Sequence, residues 1–259
     1  MNNPKVEILI LNWNGGNLLY DCITSVLNSD YDNFNVTIID NGSDDDSINK
    51  IKNNFTNINY ILIDTNLGYA KGYNYGFKRL IDSNNTDYFL LLNNDTIILK
   101  STIKNLISGT YVFGFNNIYG PKILNEFNKE VWYGGGKINQ LTKLATHVGV
   151  NKYFHTTELK TMKTDFVSGC TMLIPKKIID KLSGFNEIYD FYYEDVDLCL
   201  RAKSYDCSCF FISDSTVIHK ISSSLGGRYS PLKFLYKFKS SFKYLYYNYN
   251  PILFFNAKR

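Results

Sequence analysis

Tyr88-Phe89-Leu90-Leu91-Leu92-Asn93-Asn94-Asp95-Thr96 passes from five consecutive apolar residues straight into four polar ones. A short apolar run without helical spacing is the pattern of a strand covered on both faces, as in parallel sheets. Val6–Leu11, Val36–Asp40 and Asn59–Ile63 read the same way, with helical stretches at Leu18–Leu27 and Tyr69–Ile81 between them. Strand–helix alternation of this kind predicts a mixed α/β fold with a mostly parallel, Rossmann-like central sheet flanked by helices. Ligands of open α/β sheets bind beyond the C-terminal ends of the strands. Polar clusters stand at those ends here: Asn12-Trp13-Asn14, Asp40-Asn41-Gly42-Ser43, Asp64-Thr65-Asn66-Leu67-Gly68 and Asn93-Asn94-Asp95.

Beyond this half the pattern loosens. Residues 111–174 are rich in Gly, Tyr and β-branched types and predict short strands and loops, suited to an acceptor subsite. A short helix from Pro175 to Leu182 is closed by Gly184, and a second opens near Glu194 and runs to about Ser204. A strand at Cys207–Ile212 precedes a loop with His219, and a last helix is expected near Leu232–Tyr247. The expected organisation is one domain over 1–222, divided into a donor half (1–110) and an acceptor half (111–222), with a basic aromatic segment over 223–259.

With 259 residues and 44% apolar types, the chain can bury a sizeable core. It has no run of 18 apolar residues and no basic flank or cleavage site at its start, so the expected location is cytoplasmic. Five cysteines without paired spacing argue against a disulfide framework or a zinc site and for reduced, buried thiols. The net charge is +4, unevenly spread: no Asp or Glu follows Asp214, while seven Lys or Arg lie from Arg228 to Arg259.

Three groups of residues carry candidate chemistry. Asp40-Asn41-Gly42-Ser43 offers a carboxylate and an amide to a pyrimidine edge and a ribose hydroxyl, or makes a turn. Asp95, at the rim of a buried strand, suits a hard divalent cation completed by phosphates; alternatively Asn94-Asp95-Thr96 caps a following helix. His219 can join Asp95 on a metal or serve structure alone. Glu194 and Asp195 are adjacent at a helix start, so mutual repulsion raises one pKa and makes one of them a candidate base. Asp197 and Arg201, four apart, form a scaffolding ion pair.

In their joint order these segments resemble glycosyltransferase family 2, in particular its bacterial rhamnosyltransferase-like branch, over about residues 5–222. The resemblance rests on Asn12-Trp13-Asn14, Asp40-Asn41-Gly42-Ser43, Asn66-Leu67-Gly68-Tyr69-Ala70-Lys71-Gly72-Tyr73-Asn74, Leu92-Asn93-Asn94-Asp95, Val167-Ser168-Gly169-Cys170, Gly184-Phe185-Asn186-Glu187, Tyr193-Glu194-Asp195-Val196-Asp197 and His219. It implies a GT-A fold and an inverting transfer from a nucleoside-diphosphate sugar, dTDP-rhamnose or a UDP-hexose, to a hydroxyl of a growing, lipid-linked surface glycan. It implies donor contacts at Asn12, Asn14, Asp40, Asn41, Ser43, Asn66, Gly68, Lys71, Asn74, Asn94 and Asp95. Asp195 becomes the base, with Glu194 beside it, and Asp95 and His219 become ligands of Mn²⁺ or Mg²⁺. Asn93 departs from the family's acidic pattern and leaves Asp95 the only carboxylate of that triplet.

In the tail, Phe234, Leu235, Phe238, Phe242 and Leu245 share a stripe of ~100° on a helix, with Lys233, Lys237, Lys239 and Lys243 outside it. Such a stripe packs on the body, docks on an anionic membrane surface or pairs with a second copy in a homodimer. A sugar nucleotidyltransferase is disfavoured because no Gly-rich, basic phosphate loop follows the first strand. A catalytically inactive, membrane-associated nucleotide-sugar-binding module is the remaining alternative, and nucleic-acid binding is excluded for want of a basic groove or motif.

Overall fold

The computed structural model describes residues 3–80, 85–127, 130–150, 159–220 and 231–249. β1 (Val6–Asn12), α1 (Gly16–Leu27), β2 (Phe34–Asn41), α2 (Ser47–Asn54), β3 (Ile58–Ile63), α3 (Tyr69–Leu80) and β4 (Tyr88–Asn93) alternate as the apolar runs predict. β5 (Thr96–Ile98), α4 (Thr102–Phe113), β6 (Ile118–Asn125), β7 (Val131–Tyr133), β8 (Gly136–Ile138) and β9 (Ala145–His147) follow. The chain continues through β10 (Met162–Thr164), β11 (Thr171–Pro175), α5 (Lys176–Leu182), α6 (Glu194–Ala202), β12 (Cys209–His219) and α7 (Pro231–Tyr249).

One sheet runs in the order β3-β2-β1-β4-β11-β6-β12-β10, with β5 added to β12 and β7 to β6. β1–β4 are mutually parallel where they pair, β11 runs antiparallel to β4 and β6, and β12 returns parallel to β6. The apolar run of β4 is buried throughout, because β1 and β11 flank it and helices cover the sheet. Each such Leu removed from water contributes about 1.5–3 kcal/mol, so the centre of the sheet is held mainly by burial. All five cysteines are free and buried, as expected of reduced thiols.

Three expectations change. His219 is not in a loop: β12 continues past a bulge between Ile212 and Thr216 and ends at His219, held between β6 and β5. No helix follows Asn94-Asp95-Thr96 directly; β5 starts at Thr96 and α4 opens only at Thr102, so that triplet caps nothing. The middle region contains an eight-residue strand, β6, and α4 runs across the boundary placed at 110, so one sheet serves both halves.

The tail stripe also meets a different fate. Phe234, Leu235, Phe238 and Phe242 are 61–72% exposed, whereas Ser240 and Tyr244 are buried and Leu245 is partly so. α7 therefore packs on the body with the face opposite its apolar stripe. Among the described residues no helix is long and apolar enough to cross a membrane.

The turn after β2 gives a stability test. Gly42 stands at φ +73, and a Cβ there would lie 2.6–2.8 Å from the backbone of Thr65 and Asn66. Gly16 stands at φ +49, where a Cβ would meet only Asp45 Oδ2 at an ordinary 3.8 Å. A left-handed non-glycine residue costs about 1–2 kcal/mol and each kcal/mol is roughly 2–4 °C in a chain of this size. Both alanine variants carry that cost, roughly 2–8 °C, and Gly42→Ala is expected to lower the melting temperature further because its Cβ meets the Thr65 and Asn66 backbone. Equal shifts in a circular-dichroism melt would contradict the close approach of the two loops.

Candidate active site

The C-terminal ends of β1, β2 and β4 are level, since Asn12 pairs with Asp40 and Leu11 with Asn93. Asn12 is the hub of this rim. Its amide N–H group donates to Asp40 Oδ1 at 3.0 Å and to the Ser43 and Ser47 hydroxyls at 3.1 Å, while its Oδ1 accepts from Asn94 Nδ2 at 2.9 Å. Ser43 donates to Asp40 Oδ1 at 2.6 Å and accepts from the Asn14 backbone N–H. A second knot joins Asn41 to Asn66 and the Gly68 carbonyl, and Asn66 accepts the Gly68 N–H. Gly15 belongs to the rim although its sequence gave no sign of it: a Cβ there would collide with Asn12 Oδ1 and Asn94 Nδ2.

Two of the expected donor residues sit apart from this wiring. Lys71 is exposed on the first turn of α3. Asn74 is buried, donates to the Phe185 carbonyl and Glu187, and accepts the Phe185 N–H, so its amide clamps α3 to the loop after α5.

Asp95 and His219 meet because β5 pairs with the end of β12, with His219 opposite Thr96. Nε2 of His219 lies 3.2 Å from Asp95 Oδ1, both residues are buried, and the backbone N–H of Lys220 donates to the Asp95 carbonyl. Trp132 packs its ring edge-on to His219 at 5.0 Å and to His147 at 4.7 Å. Burial lowers His147 to about 4, leaving a neutral ring that bonds the Trp132 carbonyl. No cluster of three or more His, Cys, Asp or Glu side chains gathers among the described residues. The pair Asp95 and His219 supplies one oxygen and one nitrogen donor. A divalent cation fits them only if substrate oxygens and water complete its shell.

Glu194 and Asp195 open α6 directly after Tyr192 and Tyr193, which stand at φ +68 and +71. Bulky residues rarely hold that conformation, and each costs about 1–3 kcal/mol, a strain typical of functional loops. Asp195 Oδ2 accepts the Gly169 N–H and Oδ1 the Val196 N–H, both at 2.8 Å. Glu194 Oε2 is shielded from solvent without a hydrogen-bond partner among the described residues. Burial, reinforced by the Asp195 charge, pushes Glu194 up to about 8. Burial raises Asp195 too, but its backbone N–H donors oppose the rise. Burial thus favours the proton on Glu194 and the backbone N–H donors favour charge on Asp195, so the pair favours a shared charge.

Gly169 and Tyr69 complete this cluster and were not assigned a role in the sequence. The Tyr69 hydroxyl donates to the Gly169 carbonyl at 2.6 Å, and a Cβ on Gly169 would lie 2.6 Å from that hydroxyl. Thr171 pairs with Leu92, which sets Gly169 and Cys170 beside Asn93. The Cys170 thiol, raised chiefly by burial, also feels the charges of both Asp95 and Asp195, so the two carboxylate clusters share one neighbourhood. Asp197 is scaffold as expected: it pairs with Arg201 at 2.7 Å, and Arg201 also donates to the Leu182 and Gly184 carbonyls.

Carboxylates, amides and an imidazole at the C-terminal rim of a mostly parallel sheet define a GT-A type α/β fold. The chain belongs to glycosyl transferase family 2, whose profile matches residues 7–183. It is 27% identical over 150 residues to the low-salt glycan biosynthesis hexosyltransferase Agl10 of Haloferax volcanii, covering 56% of this chain and 46% of that protein. It is 26% identical over 206 residues to an uncharacterized glycosyltransferase of Rickettsia typhi, covering 77% of this chain and 58% of that one. The chain thus spans about half the length of these curated relatives.

Among solved structures, GalNAc-T7 with UDP, GalNAc and Mn²⁺ aligns at a TM-score of 0.73 and 13% identity, over 96% of this chain and 49% of that one. S. aureus TarS, residues 1–349, aligns at 0.59 and 16% identity, over 83% of this chain and 60% of that one. At these identities the likeness is one of fold. Glu194, Asp195, His219 and α7 lie beyond the matched family segment.

The carboxyl pair predicts a pH dependence. A carboxyl raised from 4.5 to about 8 on folding contributes stability that is full below 4.5 and is lost as pH rises through about 8. The melting temperature of the wild type is expected to fall between pH 5 and pH 9 by more than that of Glu194→Gln. Parallel melting profiles across that range would rule out the shared-charge arrangement.

Proposed function

We propose that the chain is an inverting, metal-dependent glycosyltransferase that moves a sugar from a nucleoside diphosphate, dTDP-rhamnose or a UDP-hexose, to a glycan hydroxyl. The observation that carries this reading is the Asp195 carboxylate, which accepts the Gly169 and Val196 N–H groups beside a buried Glu194 whose proton affinity burial raises. Asp195 then accepts the proton of the attacking hydroxyl, and its raised affinity for protons suits that task. Attack on the anomeric carbon from the side opposite the diphosphate forms the new glycosidic bond as the bond to the diphosphate breaks, which inverts the centre.

Asp40, Asn12 and Ser43 supply the groups that orient the base and ribose, and Asn94 lies beside them on the phosphate side. Asp95 and His219 would hold the divalent cation, Mn²⁺ or Mg²⁺, which when bound neutralises charge on the departing diphosphate. The acceptor in this reading is carried on a lipid of a bacterial surface glycan at the inner face of the cytoplasmic membrane, with α7 as the part of the chain that meets the surface.

The test is a thermal-shift series with UDP, dTDP, GDP and CDP, each with and without Mn²⁺. One nucleotide is expected to give a metal-dependent shift that Asp95→Ala abolishes. Asp195→Asn is expected to keep that shift and to lose transfer by roughly 10²–10⁴-fold, the usual worth of a general base. No shift with any nucleotide would leave a non-catalytic module as the better reading.

The surface role has its own test. Phe234, Leu235, Phe238 and Phe242 are exposed, and the exposed Lys237 falls beside that stripe at ~100° per residue. Anionic lipid would attract such a lysine by roughly 1 kcal/mol near the surface. The full chain is expected to float with phosphatidylglycerol-containing vesicles at low salt and less so at high salt. Phe238→Asp combined with Phe242→Asp should stay at the bottom of the gradient; flotation equal to wild type would remove α7 from the surface.

A further inference from the structure

The segment that delivers Asp195 has a backbone its own residues do not favour. Tyr192 and Tyr193 both hold positive φ, and nothing in a pair of tyrosines selects it. Such a conformation persists only when neighbouring structure determines it. Helix α7 contacts residues on both sides of this pair and the Tyr193 ring itself.

Its inner face runs along the segment from end to end. The Lys243 ammonium donates to the Ile188 carbonyl and lies 3.2 Å from Asp190, and Lys239 meets the same carboxylate at 3.0 Å. The Ser240 hydroxyl donates to the Phe191 carbonyl, and Tyr236 sets its ring 5.5 Å from Phe191. Tyr244, fully buried, lays its ring on Tyr193 at 4.9 Å. The Asn248 amide reaches Asp197 Oδ1 at 3.2 Å, one turn into the helix that Glu194 and Asp195 open. Residues 236, 240, 244 and 248 are successive i, i+4 positions, so a single side of α7 contacts 188–197.

We infer that the inner face of α7, through Ser240, Lys243 and Tyr244, is a positioning element that holds Tyr192 and Tyr193 in their left-handed conformation and thereby aims Asp195. The inference rests on the proposed role of Asp195. The ion pairs to Asp190 are half-exposed and contribute little by themselves. The buried ring of Tyr244 and the bond from Ser240 to the Phe191 carbonyl dominate. α7 lies outside the segment that matches the family profile, so this support belongs to the chain's own C-terminal part.

The experiment uses the full chain and two independent readouts. Tyr244→Ala is expected to lose hydrogen-exchange protection over residues 188–197 and to lower kcat by roughly 10²-fold, the effect of misplacing a catalytic group by about an ångström. Its donor KM and its nucleotide-induced thermal shift should stay at the wild-type value, and Tyr244→Phe, which keeps the ring, should restore kcat. Unchanged exchange over 188–197, or an equal loss of donor binding and kcat, would overturn the inference. If Tyr244→Ala does not fold, Ser240→Ala combined with Lys243→Ala is measured instead, with the same directions expected and the same results overturning it. Should the wild type transfer no sugar, the proposed function fails, while the exchange of 188–197 still decides whether α7 holds the segment.

Discussion

A strand buried on both faces can place polar groups only at its ends, and β4 is such a strand. With Tyr88 through Leu92 enclosed between β1 and β11, the chain meets water and ligands first at Asn93-Asn94-Asp95. What assembles there depends on that enclosure. β1 brings Asn12 level with Asp40 of β2, and Asn94 closes the network through Asn12. β11 starts beside the same end and presents Gly169 to Asp195, while β5, immediately after Asp95, draws in the last residue of β12, His219. If the middle of β4 carried a polar side chain, the cost of burying it would fall on the element that aligns all three clusters.

The charge at this rim determines what it can bind. Asp40, Asp95 and Asp195 all stand near the strand ends, and among the described residues Lys220 pairs with Asp21 and Glu126 and Arg201 with Asp197. A diphosphate approaching an unneutralised carboxylate rim is repelled, and in the proposed reading a divalent cation held by Asp95 and His219 would offset that charge. The same reasoning separates the two acidic residues of α6. Backbone N–H groups favour charge on Asp195, whereas burial and the neighbouring Asp195 charge favour the proton on Glu194.

Much of this was legible in the chain. The strands of the first half announce themselves because parallel strands are apolar throughout, and polar residues at their ends then mark the ligand edge without further information. Asp195 and Glu194 stand out in the sequence because adjacent carboxylates at a helix start are chemically distinctive. Gly15, Tyr69 and Gly169 escaped because their parts are steric or made by backbone N–H and C=O groups, which every residue carries. Asn74 entered the donor set through the family resemblance, and its amide hydrogen-bonds the backbone of Phe185. The extension of β12 to His219 depends on a bulge after Ile212, and a bulge is set by pairing with β6, which no local pattern reports.

The C-terminal helix exposes a limit of periodicity as a guide. An apolar stripe on a helix ordinarily marks the buried face, because burial is worth more than any single polar contact. α7 inverts this. Its inner face is built from Ser240, Tyr244, Asn248 and the stem of Lys243, each matched to a specific carbonyl, ring or carboxylate on 188–197. That matching needs no apolar stripe, only geometry, so the stripe is released to the opposite side. Hydrophobic patterning predicts which residues need cover; it does not identify the cover when polar groups have already tied the helix to the body. The helix is thus fastened by its inner face to the segment that carries Asp195, with its apolar stripe on the other side.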